Sequence, residues 1–144
     1  MDKIVLDISN LQKCIQSLKT CTLDYKNSTD ENVKEYIEDA CVKRFEYTVE
    51  TSWKLMKKYL KLVYGKSEQE LTMNNIFRLM EAYGFITSWE NWRNYYLKHN
   101  DISHEYNQEK AKEILQITDN FVYDAEFLYQ KLAKALEEEK INYV

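Results

Sequence analysis

Apolar side chains return along this chain at alternating four- and three-residue steps. The first series, Ile4, Ile8, Leu11, Ile15, Leu18, Thr22 and Tyr25, draws one stripe along a helix. That helix is expected to end near Lys26, with Asn27 to Asp30 forming a turn or a cap. From about Glu31 the rhythm resumes through Ile37, Cys41, Phe45, Val49, Trp53, Met56, Leu60 and Val63. It stops at Gly65, a residue suited to the left-handed position after a helix. The predicted second helix is about nine turns long.

Three further helices follow from caps and spacing. Thr72 can cap a short helix carrying Ile76, Leu79 and Met80, closed by Gly84. Thr87 or Ser88 can cap the next, with Trp89, Trp92 and Tyr96 on its inner face. The last is expected to start near Asn107 and to carry Ala111, Ile114, Phe121, Ala125, Leu128, Leu132 and Ala135. Its acidic run Glu137-Glu138-Glu139 reads as a solvated face leading into a frayed tail. No alternating pattern is long enough for a strand and there is no internal repeat. The fold class is therefore all-α: an up-down bundle of about five helices, three long and two short, forming one domain over residues 1–144.

Composition agrees with the pattern and narrows what the chain can do. There is no proline, glycine occurs twice, and 31% of residues are charged, so breakers are few and solvated helix positions many. At 144 residues a single core can bury about two-thirds of the unfolded surface. No apolar run approaches the roughly 20 residues that span a bilayer, and the N-terminus lacks a signal peptide's basic and apolar regions. A cytoplasmic protein with no membrane contact is expected. The three cysteines, Cys14, Cys21 and Cys41, lack CxxC spacing and read as reduced thiols rather than a disulfide or metal site. A net charge of −4 opposes general binding of a polyanion, so any RNA must enter a local cleft. Twelve tyrosines and three tryptophans exceed what a bundle of this size hides easily, which favours a homodimer.

Phosphate-binding glycine loops, HExxH, EF-hand loops and the Glu-x-x-His pairs of di-iron bundles are all missing. No metal and no cofactor is expected. The first place to look for chemistry is the segment from His99 to Tyr106, because histidine exchanges protons near neutral pH. On a continuous helix Arg93, Asn100 and His104 are spaced by seven and four residues and share one face. They offer a cation, an amide and an imidazole, a sensible set for a phosphodiester. His99 instead continues the Trp89, Trp92, Tyr96 series and reads as a packed, hydrogen-bonded side chain.

These residues carry a resemblance. Lys43-Arg44-Phe45-Glu46-Tyr47-Thr48, Glu50, Trp53-Lys54 and Lys58-Tyr59-Leu60 resemble the signature QRFEFTYELAWKxLKxYL of HEPN-superfamily nucleotidyltransferase substrate-binding proteins. Asn75-Ile76-Phe77-Arg78 with Gly84-Phe85-Ile86 is similar to that family's VFREAFKxGLI. Trp89, His99-Asn100, Ser103-His104 and Tyr106 are similar to its W…RNxxSHxY. Three motifs in order cover roughly residues 5 to 135.

The resemblance implies a HEPN-like helical homodimer acting beside a minimal nucleotidyltransferase, in a toxin–antitoxin pair of the HepT/MntA type. It implies a metal-independent ribonuclease, or a non-catalytic subunit that binds a nucleotide or the transferase's substrate, with the site in the dimer cleft. In the family's Arg-polar-x3-His-x-Tyr motif the histidine serves acid–base cleavage, the arginine binds phosphate, and the partner adenylylates the tyrosine. Asn100, His104 and Tyr106 match the polar residue, the histidine and the modified tyrosine.

The arginine position is His99, and an imidazole lacks the guanidinium's permanent charge and forked donors. Three alternatives stay open: Arg93 reaches in, His99 acts as a second acid–base group, or cleavage is weakened or lost. Arg93-Asn94-x4-His99 is a looser second match, one residue longer than the motif, but six residues put its ends on different helix faces. Arg44 and Glu46 read either as an exposed salt bridge worth less than about 1 kcal/mol or as support for the dimer cleft.

Overall fold

The computed structural model describes residues 6–142, with side chains as far as Glu138. Its element order is α1 (Ser9–Asn27), α2 (Glu31–Tyr64), a 3-10 turn (Glu68–Glu70), α3 (Met73–Ala82), α4 (Trp89–His104) and α5 (Gln108–Asn142). Among the described residues there is no strand, and no helix is long and apolar enough to cross a membrane.

Side-chain pairs give the direction of each helix. Arg44 reaches the Ser17 carbonyl and Cys41 the Cys21 sulfur, so α1 and α2 run antiparallel. Lys19 pairs with Glu126 and Lys26 with Asp119, which sets α5 antiparallel to α1. Lys98 pairs with Glu113 and Lys110 with Asp101, which makes α4 and α5 a hairpin. Helices α1, α2, α4 and α5 therefore alternate up and down, with α3 packed on α2 and α4.

The ends are capped as their chemistry requires. Asp30 accepts from Asn32 and Val33, Thr72 from Asn75, and Ser88 from Asn91. Gly65 and Gly84 hold φ of 64° and 84° after α2 and α3, where a Cβ would be strained. Two boundaries differ from the pattern. The first helix begins at Ser9 because Asp7 bonds the Ser9 amide and hydroxyl and turns the chain there; Ile4 lies outside the described residues. The last helix runs on through the acidic run to Asn142.

Phe121 of α5 sits where three helices meet. Its ring packs edge-on against Phe45, Trp92 and Tyr95, with centroids 5.0, 5.6 and 4.9 Å away. Around it Leu11, Leu18, Met56, Leu60, Ile114 and Leu128 are fully buried. Each such side chain contributes roughly 1.5–3 kcal/mol by leaving water.

Candidate functional site

Helix α4 is fixed on one side and open on the other. Its inward residues are Trp92, Tyr95 and Ile102, so the inner face is centred on Tyr95 rather than on Tyr96. The reason lies on α5, where buried Asp124 accepts from the Tyr95 hydroxyl at 2.5 Å, from Asn91 at 3.4 Å and from Thr87 at 3.4 Å. Burial and that carboxylate push the Tyr95 phenol well above its usual range. Thr87 is thereby committed to Asp124, and Ser88 alone caps the helix. Sequence reasoning missed Asp124 and Tyr95; a lone acid within an apolar helical stripe was the available signal.

Tyr96 and His99 occupy the flank of α4 that meets α2. The Tyr96 ring stands edge-on to Trp53, and His99 lies parallel to Tyr96 with centroids 6.3 Å apart. His99 Nδ1 is 3.1 Å from Asn100 Oδ1, and Glu50 of α2 lies within its electrostatic reach. The Glu50 carboxyl is held below its usual range, first by the Lys54 hydrogen bond. His99 is thus a half-buried, hydrogen-bonded ring, as its place in the stripe predicted. The indole N–H of Trp53, in the same seam, is buried without a hydrogen-bond partner.

Arg93, Leu97, Asn100 and His104 line the outer side, spaced four, three and four residues apart. Arg93, Leu97 and His104 are exposed and Asn100 is half-buried. Among the described residues neither Arg93 nor His104 makes a hydrogen bond or ion pair. They share a face, but eleven residues separate them by roughly 16 Å along the axis. The structure does not bring them to a common point within one chain. His104 is the last residue of α4, where the helix presents unpaired carbonyls and partial negative charge.

Tyr106 lies just past that end. Its hydroxyl donates to the Asp39 carboxylate of α2, beside a Gln108–Glu35 contact of 2.7 Å. Burial first, and then the Asp39 bond, push the phenol above its usual range, although 48% of the residue remains exposed. His104 and Tyr106 therefore fall at one end of the bundle, where α4, α5 and the start of α2 converge.

The two α2 candidates separate. Arg44 turns toward α1, giving Nη1 to the Ser17 carbonyl at 3.0 Å, and forms no ion pair with Glu46. The exposed salt bridge expected of them is absent, because residues two apart point about 200° apart on a helix. Glu46 shares its face with Asp39 and Glu50, the face that runs beside α4. Among the described residues no group of three or more His, Cys, Asp or Glu side chains could hold a metal ion.

Comparison with known proteins places this geometry in a wider set. The family described as "Nucleotidyltransferase substrate binding protein like" matches residues 6–134. A protein of Haemophilus influenzae named "Probable ribonuclease HepT" is 28% identical over 102 residues, 69% of this chain and 70% of its own length. A solved structure from Haemophilus influenzae, reported as the fold of a substrate binding domain of a nucleotidyltransferase, superposes with a TM-score of 0.80 at 23% identity. It covers 88% of this chain and 99% of that one. A second, from Thermus thermophilus, gives a TM-score of 0.70 at 22% identity over 85% and 98% of the two chains.

Proposed function

We propose that this chain, which belongs to the nucleotidyltransferase substrate binding protein-like family, is the HepT-like subunit beside a separate minimal nucleotidyltransferase and cleaves RNA without a metal. The observation that carries this reading is the end of α4. There His104 is exposed and makes no hydrogen bond or ion pair among the described residues, with Tyr106 two residues away. The similarity to a protein named as a probable ribonuclease supports it.

The chemistry needs a base for the ribose 2′-hydroxyl, an acid for the leaving 5′-oxygen, and cations for the charged phosphorane. The 2′-oxygen attacks phosphorus as one His104 takes its proton. The 5′-oxygen leaves with a proton from the His104 of a second copy, giving a 2′,3′-cyclic phosphate and a 5′-hydroxyl. Two copies packed through the open side of α4 would supply both imidazoles, with Asn100 orienting the phosphate. They would also remove the separation of roughly 16 Å, since Arg93 of one copy can approach His104 of the other. Glu46 would line the cleft; Arg44, bound to α1, would support it only through α2.

Purified protein and His104→Ala, incubated with RNA in chelator, test this. The variant is expected to lose about 10²- to 10⁴-fold in rate, with cyclic phosphate as product. Equal cleavage by both proteins overturns the ribonuclease reading. The partner reading predicts that a nucleotidyltransferase encoded next door adds AMP to Tyr106, read by mass spectrometry, and modification elsewhere alone would refute it. One observation favours a second reading, a non-catalytic subunit that binds a nucleotide or the partner's substrate: His99 stands where the family motif has arginine.

A further inference from the structure

Past Glu50 the second helix changes sign. From residue 51 onward it carries Lys54, Lys57, Lys58 and Lys61, Lys66 follows just past its end, and no carboxylate occurs before residue 68, in a chain of net charge −4. At about 100° per residue the first four lie within an arc of about 100°. They form a basic stripe on one side of α2. It begins at Lys54, whose partner Glu50 feels the His99 ring, and runs roughly 15 Å toward Tyr64.

An aromatic pair closes the stripe. Tyr64 and Tyr83 stack in parallel, with centroids 3.9 Å apart and planes 1° apart, and are 38% and 37% exposed. Beside them Lys66 and Arg78 line a surface depression with Glu70, Asn75 and Leu79, and Arg78 lies over the Trp89 ring at 4.4 Å. Carboxylates occupy part of the stripe: Glu50 takes Lys54, and Glu68 takes Lys57 and Lys61. These pairs sit in water, where they are weak and exchangeable. Lys58 and Lys66 form no ion pair among the described residues, although Asp7 lies in the field of Lys58.

We propose that the Lys54–Lys57–Lys58–Lys61 stripe and the Tyr64–Tyr83 pair form a track for single-stranded nucleic acid along the C-terminal half of α2. Phosphates displace Glu50 and Glu68 from the ammonium groups, and a base stacks on the tyrosine pair. Rings at the end of a cation row suit a strand with exposed bases. An acidic protein would use the lysines and leave the rings idle. The inference extends the RNA reading above but is tested apart from it, with an oligonucleotide that has no 2′-hydroxyl and cannot be cut by that chemistry.

The probe is a fluorescein-labelled 12-nucleotide single-stranded DNA, followed by anisotropy with the full chain over a salt series. Lys58→Glu with Lys61→Glu is expected to weaken binding at least tenfold. It should also flatten the log–log salt dependence by about 0.7 per lost contact, about 1.4 in all. Tyr83→Ala is expected to weaken binding about fivefold or more with the salt slope unchanged. Lys112→Glu, beside Glu38 near the opposite end of α2, should stay within twofold. Circular dichroism confirms the fold of each variant, and Lys58→Gln with Lys61→Gln replaces a reversal that misfolds. The proposal is overturned by stripe variants that bind like the parent, by a Lys112→Glu loss of equal size, or by no binding at low salt. Displacement by polyglutamate at equal charge concentration would instead assign the stripe to acidic protein.

Discussion

The two sides of α4 solve opposite problems with the same sixteen residues. The inner side sets Trp92 and Tyr95 against Phe121, buries Ile102 and ties its phenol to Asp124, while the Trp92 indole N–H is buried without a hydrogen-bond partner among the described residues. The outer side leaves Arg93, Leu97 and His104 in water, with neither Arg93 nor His104 in a hydrogen bond or ion pair among the described residues. The difference teaches how a small bundle can hold reactive groups still. Packing and a buried carboxylate fix the helix axis and its rotation, and the outer groups inherit that position without being bonded themselves.

Damage to the inner side should therefore be costly in stability. Trp92→Ala removes a fully buried ring and is expected to lower unfolding free energy by about 3–5 kcal/mol, read from the urea midpoint. A loss under about 1 kcal/mol would mean that α4 is not seated as described. Asp124→Ala strands the Tyr95 hydroxyl and should cost about 1–3 kcal/mol. Tyr95→Phe in the same background should recover part of that loss, since it removes the stranded group. Failure of the double variant to recover would assign the Asp124 effect to something other than this bond.

Helix α2 repeats the contrast in miniature. Glu38 is buried, and its carboxyl is raised above the usual range, first by desolvation. A folded-state value above the unfolded one means that this group favours folding below the unfolded value of about 4.3. That contribution is lost as pH rises through the folded value. Glu38→Gln should then raise the melting temperature at pH 7, with the gain fading below about pH 4. A gain that persists in acid would point to packing rather than charge.

The outer side should show the smallest effect on folding. Leu97, 50% exposed, can be changed to Glu within about 0.5 kcal/mol of the parent's unfolding free energy. If two copies meet through this side, the same change should abolish the dimer in light scattering. A dimer that survives Leu97→Glu would move the interface elsewhere.

What the amino-acid pattern revealed and what it hid follow from range. The helices, the caps at Thr72 and Ser88, and the stops at Gly65 and Gly84 depend on neighbours within four residues, and each was readable. Trp89, Trp92 and Tyr96 do pack on the core, but the deeper burial of Tyr95 was hidden because Trp89, Trp92 and Tyr96 satisfy helical spacing as well as Trp92 and Tyr95 do. Only Asp124, 29 residues beyond Tyr95, decides between them. The Tyr106–Asp39 bond spans 67 residues and Arg44 to Ser17 spans 27, distances at which periodicity carries no information. His99 is the counterexample: its packed character was legible because the rings it joins are one turn away.

Cys41 gives its thiol hydrogen to Cys21 at 2.8 Å across the α1–α2 seam, while Cys14 is only half-buried. Burial, and then the Cys21 contact, push the Cys41 thiol well above its usual range. Alkylating reagents attack thiolates, so Cys14 should react first and offer a single attachment point for a dye or spin label on α1. The slower capture of Cys21 and Cys41 would then act as a clock, timing how often the first two helices part while the rest of the bundle stays closed.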